Sequence, residues 1–541
     1  MIHRLAAALA LFAAPALAAQ PAPLPIDAAR MSEHVRVLAS EPYGGRGPGT
    51  PEEEKTVAYI ADQFRQAGLS PGGDNGGWTQ AVDLWQIETD RPKLQIRGPG
   101  GALELTNGAE LALGAHSGNA EVALTGAPLV FVGYGVTAPE RGWDDFKGLD
   151  LHGKVAVFLV NDPDFETPEA NTFDGKAMTY QGRWTYKFEE ATRRGAIGAL
   201  VIHEDGPAGY GFESLARSWL QPQFDIVKPD APARPLFESW INRPSAVKMF
   251  ALAGLDFETL RVAARNRDFR PVDLTGVAVS TRFSVRRSKI ASRNVVGVLR
   301  GARYPNETIL YSAHWDHLGR GPAGEVFAGA VDNASGVAGL IELARAFGRG
   351  RPVQRSVAFV AFTAEEKGLL GSEYYASKPV RPLETTALVL NMDSLSSFGR
   401  TNDLVVVSRG RTDLDPIVER IAQVQGRTVT GDPSPEAGTY FRSDHLSLAQ
   451  KGVPGVSFGI GRDLRNGGRA AGDAAYQAYV RDRYHQAADV WKPDLDLAGA
   501  AEDVSALYEL GAAIANSRLW PSWSVSEAFK PIRDASAASR K

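Results

Sequence analysis

Three runs constrain the fold of this chain more than any other feature: "ETILYSAHWD" (307–316), "SVAFVAFTAEE" (356–366) and "TALVLNMD" (386–393). Each is about one strand long, rich in β-branched and aromatic residues, and apolar on both of its alternating faces. A strand with one wet face would alternate apolar and polar residues; a continuously apolar one is covered on both sides. Between them lie helical patterns, as in "NASGVAGLIELARAFGRG", where Val337, Leu340, Ile341, Ala344 and Phe347 share one helix face. Such alternation predicts an α/β fold with a mostly parallel central sheet sandwiched by helices.

All three runs end in ionisable groups. His314 and Asp316 end the first, Glu365 and Glu366 the second, and Asp393 the third; Asp332 opens the following helix, and His485 comes later in "YHQAAD". Ligands of open α/β sheets bind beyond the carboxyl ends of the strands. One acidic strand end is ordinary solvation, but three on one sheet edge repel strongly unless a cation lies between them. His314 and Asp316 are two apart and face the same way on an extended chain, which suits a ligating imidazole and the carboxylate that orients it. The sequence contains no cysteine and only nine histidines, so disulfides are excluded and any metal must be held by His, Asp and Glu.

The 541 residues, 44% hydrophobic and 23% charged with net charge −4, fit a large globular protein of roughly two to four domains with no basic footprint for nucleic acid. The N-terminus "MIHRLAAALALFAAPALAAQ" has a basic start, a short apolar stretch and a small-x-small site at Ala16–Ala18, the pattern of an export signal over 1–18. Its apolar stretch is too short to span a membrane, and no other run is long enough, so an exported, periplasmic or extracellular protein without stable membrane insertion is expected. Thr50-Pro51-Glu52-Glu53 predicts a helix start, with Val57, Ile60, Ala61 and Phe64 on its apolar face and Gly68 ending it. From about 118 to 280 the pattern shifts to short strands and turns, read as an inserted β-rich domain. This divides the chain into 19–117 and 281–520, forming one α/β domain, the insert 118–280, and a tail at 521–541 whose end, "DASAASRK", is expected to be disordered.

In order and approximate spacing, "SAHWDHLG", "GAVDNASG", "FTAEEKGLLGS", "NMDS" and "YHQAAD" resemble the motif set of the di-zinc exopeptidase family of bacterial leucyl aminopeptidases and glutamate carboxypeptidases. "GRGPGTPEEEKTVAYIADQF" is similar to that family's N-terminal segment, and the insert resembles a protease-associated domain. The resemblance implies two Zn2+ per chain and a peptide substrate. His314 and Asp393 would hold one zinc, Glu366 and His485 the other, and Asp332 both; Glu365 would be the general base and Asp316 the orienting acid. Tyr484 is a candidate oxyanion donor, as in carboxypeptidase-like relatives, weighed against a packed tyrosine. His317 is read as structural and His445 as a candidate pocket residue. Arg462, Arg465 and Arg469, in the loop before His485, are candidate clamps for a substrate carboxylate, against the reading of a solvated loop.

Other readings stay open at this level. A carboxypeptidase, or a one-zinc cyclase acting on N-terminal glutamine, shares the fold. "GVSFG" (455–459) matches G-x-S-x-G, but the residues after Ser457 are loop-like where a nucleophile elbow needs a helix. A binding protein on a peptidase scaffold would be expected to lack metal ligands, and all five are present here.

Overall fold

A computed structural model describes residues 26–228, 232–321 and 323–540. The export-signal segment lies outside the described residues. Strands Gly455–Ser457, Thr386–Asn391, Tyr304–His314 and Arg355–Phe362 lie side by side in that order and all run parallel. The last pairs antiparallel with the C-terminal half of a 28-residue strand, Val272–Leu299, which in turn pairs antiparallel with Thr79–Thr89.

The continuous apolar runs are explained by two covered faces. Ile309, Tyr311, Ala313, Val357, Phe359 and Ala361 point into one core, where helices Ala28–Leu38, Pro51–Gln66, Gly336–Gly348 and Ala498–Ala515 pack. Their neighbours Leu310, Ala358, Val360 and Phe362 point the other way, against Tyr375 and Ala376 of helix Leu370–Ser377 and Leu448 of the helical turn His445–Ala449. Alternate residues thus serve alternate cores, leaving only the strand ends for polar chemistry. The expected helix over 51–66 forms, but its cap differs: Thr50 donates to the Gly47 carbonyl, and Glu53 accepts the Gly49 N–H at 2.6 Å.

The N-terminal half of Val272–Leu299 belongs to a second sheet. There it pairs with Glu121–Phe131, followed by Val155–Leu159, Gly198–His203, Phe237–Asn242 and Leu111–Gly114. This sheet has its own apolar clusters on its two faces, one around Phe131, Phe250 and Phe269, the other around Phe158, Trp219 and Trp240. The hairpin Lys93–Gly98/Gly101–Thr106 and the strand Leu111–Gly114 also join it, although they precede residue 118, where the insert was expected to start. The helix–strand pattern of 184–203 is as expected, Trp184–Arg193 then Gly198–His203.

The C-terminal tail departs from expectation. Helix Lys530–Ala535 sits at its end, and Arg533, 2% exposed, donates to the carbonyls of Thr386 (2.9 Å) and Ala387 (3.1 Å). Trp523 and Phe529 are buried beside it. Its place at the chain terminus suggested disorder, but the aromatic residues just upstream anchor the segment. No helix among the described residues is long and apolar enough to cross a membrane.

Candidate active site

The parallel strands deliver their carboxyl ends to one place. His314 is the last residue of its strand; Glu365 and Glu366 follow Arg355–Phe362, and Asp393 follows Thr386–Asn391. Asp332 sits in the turn of helical type, Ala330–Ser335, that leads into Gly336–Gly348, and a cis peptide joins it to Asn333. The Asp489 carboxylate holds that turn by accepting the N–H groups of Val331 (3.0 Å) and Asp332 (3.1 Å). Arg46, fully buried, donates to the carbonyls of Trp315, Ala328 and Gly329, tying the His314 strand end to the Asp332 turn.

Two side-chain groups result, sharing Asp332. His314 Nε2 lies 3.3 Å from both Asp332 Oδ1 and Asp393 Oδ1. His485 Nε2 lies 3.1 Å from Asp332 Oδ2 and 3.2 Å from Glu366 Oε2. Donor atoms around a tetrahedral ion with bonds of ~2.05 Å stand about 3.3 Å apart, so these separations suit ligands around a cation as well as the direct hydrogen bonds made without one. His317 also reaches the second group: a ring nitrogen of His317 and carboxylate oxygens of Asp332 and Glu366 all lie within 4.8 Å of one another. Its Nδ1, however, lies 2.6 Å from Glu366 Oε1, a hydrogen-bond distance rather than a ligand spacing. His317 therefore donates to Glu366 and orients it, a contact the sequence reading did not foresee. Each group supplies one imidazole and two carboxylates, the three-ligand, open-position pattern of catalytic zinc sites, so the residues fit the metal.

Electrostatics tell the same story. Burial alone would discharge His314 and His485, yet Glu365 and Asp393 lift the first well above its ordinary value, and Glu366 with Asp332 lifts the second to about 10. Against burial, His485 and His317 hold Glu366 well below the usual carboxylate range. The surrounding carboxylates thus favour a positive charge at each imidazole nitrogen, and a bound metal would supply it in place of the proton. Glu365 behaves in the opposite way: burial, then the like charges of Asp393 and Glu366, push it well above its ordinary value despite His314 3.9 Å away. Such a carboxylate is a strong proton acceptor.

Asp316 takes a different position from the one expected. Its carboxylate is 3.8 Å from His314 Nδ1, while its backbone carbonyl is 3.1 Å away and accepts that hydrogen bond. The carboxylate instead accepts the N–H groups of Glu365 (3.0 Å) and Glu366 (3.3 Å), fixing the turn that presents both glutamates. Tyr484 stacks on His485 with ring centroids 3.9 Å apart. Burial and Asp332 raise its hydroxyl well above the ordinary value, so it keeps its proton.

The proposed pocket residues fare less well. His445 is 1% exposed, neither ring nitrogen has a partner among the described residues, and its ring packs on Tyr440 at 4.5 Å; burial lowers it to about 4. It is a core histidine. Arg462 covers the Tyr476 ring and pairs with Asp473 (3.6 Å), Arg469 pairs with Asp473 (3.0 Å), and Arg465 pairs with Glu502 (3.2 Å). All three are thus engaged by carboxylates, Arg462 and Arg469 sharing Asp473, instead of converging as a clamp. Helix Gly468–Asp482, which supplies Asp473, was read as loop because of its glycine-rich start. Ser457 ends its strand with no helix directly behind it, which removes the elbow geometry a nucleophilic serine needs.

Comparison with known proteins finds likeness centred on this site. Residues 294–508 match the profile of Peptidase family M28. Over 106 residues the chain is 36% identical to "Probable zinc metalloprotease" of Pyrenophora teres f. teres (strain 0-1), covering 19% of this chain and 22% of that protein. Over 440 residues it is 25% identical to "Aminopeptidase NAALADL1" of Rattus norvegicus, covering 68% of this chain and 53% of that one. Among solved structures, the aminopeptidase from Aneurinibacillus sp. strain AM-1 superposes with a TM-score of 0.49 at 21% identity, covering 90% of this chain and 94% of that chain. The chain spans about half or less of the length of these two curated relatives. The stretch that matches the Peptidase family M28 profile, residues 294–508, holds every ligand-type residue of the site.

Proposed function

We propose that this protein is an exopeptidase that removes N-terminal residues from peptides, with two zinc ions per chain. The observation that carries the reading is the pair of groups with ligand-type spacing that share Asp332 and lie beside a carboxylate of raised proton affinity. His314 and Asp393 would hold one ion, His485 and Glu366 the other, and Asp332 both. When bound, zinc supplies Lewis acidity at the scissile carbonyl and lowers the pKa of water there toward ~7. Glu365 accepts the proton of the attacking water and passes it to the leaving amine. Asp316 keeps Glu365 in place through its backbone N–H. Tyr484, protonated and stacked on His485, donates to the oxygen that gains charge in the transition state. The relatives' names, zinc metalloprotease and aminopeptidase, support the metal and the end of the peptide attacked. The region of the second sheet is read as a protease-associated-like insert, and the N-terminal segment supports export.

Elemental analysis of active protein should find two zinc ions per chain; one or none would refute the two-ion site. A hexapeptide should be shortened from its N-terminus, N-acetylation should block cleavage, and C-terminal amidation should not. Cleavage of the acetylated peptide from its C-terminus would assign a carboxypeptidase instead.

A further inference from the structure

The imidazoles of the two metal groups are held by different means. His314 ends a central strand, and its Nδ1 donates to the Asp316 carbonyl at 3.1 Å, so both its backbone and its ring are fixed. His485 comes from the loop between helices Gly468–Asp482 and Ala498–Ala515. Its side chain is 37% exposed, and among the described residues no hydrogen bond reaches its Nδ1. Its partners at Nε2 are its fellow ligand-type residues, Asp332 and Glu366, contacts that a bound ion would replace. The Tyr484 ring stacks on it at 3.9 Å and the His317 ring meets it at 5.7 Å; stacking restrains the plane of the ring but not its slide along that plane. The backbone of His485 is left-handed at φ 56°, a conformation that costs a residue with a Cβ on the order of 1 kcal/mol and persists only where the surroundings hold it.

The loop itself must therefore be held, and Asp489 holds it with all three of its oxygens. It is fully buried, four residues after His485. Its Oδ1 accepts Arg483 Nη2 at 3.0 Å, its Oδ2 accepts the N–H groups of Val331 at 3.0 Å and Asp332 at 3.1 Å, and its backbone carbonyl accepts the Ala330 N–H at 3.0 Å. Arg483 Nη2 also donates to the Val490 carbonyl at 3.1 Å. Within the loop, the Gln486 N–H donates to the Arg483 carbonyl at 2.8 Å and the Asp489 N–H to the Gln486 carbonyl at 3.0 Å. Residues 483–490 are thus closed on themselves around His485, and the residue that closes them also grips the turn that carries Asp332.

We infer that Arg483 and Asp489 are positioning residues for the second metal group: Arg483 closes the His485 loop onto Asp489, Asp489 fastens that loop to the Asp332 turn, and together they set the 3.1 Å spacing between His485 Nε2 and Asp332 Oδ2. This rests on the two-ion reading above. The two residues differ in reach. Arg483 bonds to the His485 loop alone, so it serves the second group. Asp489 also holds the Asp332 turn, and Asp332 belongs to both groups, so removing its carboxylate disturbs both. Their effect passes through an imidazole and a shared carboxylate, and so appears first in metal affinity.

The test measures zinc binding to metal-stripped, full-length wild type and variants by competition with a chromophoric chelator, which resolves two dissociation constants. Arg483→Gln should weaken one ion by roughly 10–100-fold, the range for losing a partner behind a ligand, and leave the other unchanged. Arg483→Lys should recover part of the loss, because a single ammonium replaces the guanidinium fork. Asp489→Ala should weaken both ions. Asp489→Asn keeps an acceptor for the Val331 and Asp332 N–H groups but loses the charged pair with Arg483, so it should match Arg483→Gln even where the alanine variant does not fold. If Arg483→Gln and Asp489→Asn bind both ions as tightly as wild type, the inference is overturned while the two-ion reading stands. The same holds if either variant lowers the urea midpoint and leaves the ratio of the two zinc constants unchanged, the mark of a merely structural role. If wild type itself binds fewer than two zinc ions, the two-ion reading fails, and this inference with it.

Discussion

Replacing Arg46 with methionine should cost about 3 kcal/mol of stability and loosen the metal groups. Its guanidinium is fully buried and donates four hydrogen bonds to carbonyls, those of Trp315 (2.8 Å), Leu38 (2.9 Å), Ala328 (2.6 Å) and Gly329 (2.8 Å). At ~1.5 kcal/mol for each bond from a charged donor, the gross loss is ~6 kcal/mol. Against this stands the cost of burying the charge. Burial pulls Arg46 down to about 10 even though Asp332, Asp316, Asp489 and Glu366 support its charge. That fall from the ordinary value corresponds to ~3 kcal/mol, which methionine recovers. The difference is the ~3 kcal/mol expected, measured as a shift of the urea midpoint at unchanged slope. Because Trp315 follows His314 and Gly329 opens the Asp332 turn, the zinc dissociation constant should also rise at least about tenfold, read by competition with a chelator. Lysine, with one compact ammonium, cannot span all four carbonyls and should recover less than half of either effect. A methionine variant within ~0.5 kcal/mol of wild type, with unchanged zinc affinity, would refute the view that this guanidinium ties the strand end to the turn.

The two adjacent glutamates should fail differently. Glu366→Gln removes a charged ligand and should lose zinc, with activity partly restored by excess metal, whereas Glu365→Gln should keep zinc and lose roughly 10²–10⁴-fold in kcat; metal content and single-turnover rates, measured side by side, decide. Glu53, 1% exposed, is raised to about 7 by burial, so its stabilising contribution is full below ~4.5 and is lost as pH rises through 7. Glu53→Gln should therefore gain ~3 kcal/mol relative to wild type between pH 4.5 and 8, and urea midpoints that stay parallel across this window would contradict it. Deleting residues 521–541 removes buried Trp523, Phe529 and Arg533 and should cost more than ~4 kcal/mol or prevent soluble expression; a shift below ~1 kcal/mol would show the tail to be dispensable.

The strands and the ligand-type residues were legible because each depends on local pattern. Continuous apolar runs imply two covered faces, and a carboxylate at the end of such a run has few destinations. The structure adds what local pattern cannot carry, namely which distant residues meet. His317 is three residues from His314, yet its role depends on Glu366 arriving from the neighbouring strand. Arg462, Arg465 and Arg469 looked available because Asp473 lies on a helix whose start was read as loop and Glu502 on a separate helix, Ala498–Ala515. Asp444 drew no notice: it is buried with neither oxygen paired among the described residues, and burial lifts it to about 7 beside Asp316 and Asp393.

The distribution of charge sets what the site needs. Asp316, Asp332, Glu365, Glu366, Asp393 and Asp444 crowd around three histidines, and Arg46, a buried cation beside them, is spent on backbone carbonyls. Arg442 gives Glu365 Coulombic support but pairs with none of these acids. This excess of carboxylates is stable only with cations between them, and it also keeps Glu365 eager for a proton. Folding alone does not remove that imbalance. A cation held by each of the two groups would remove it and would leave Glu365, outside both sets, as the proton acceptor.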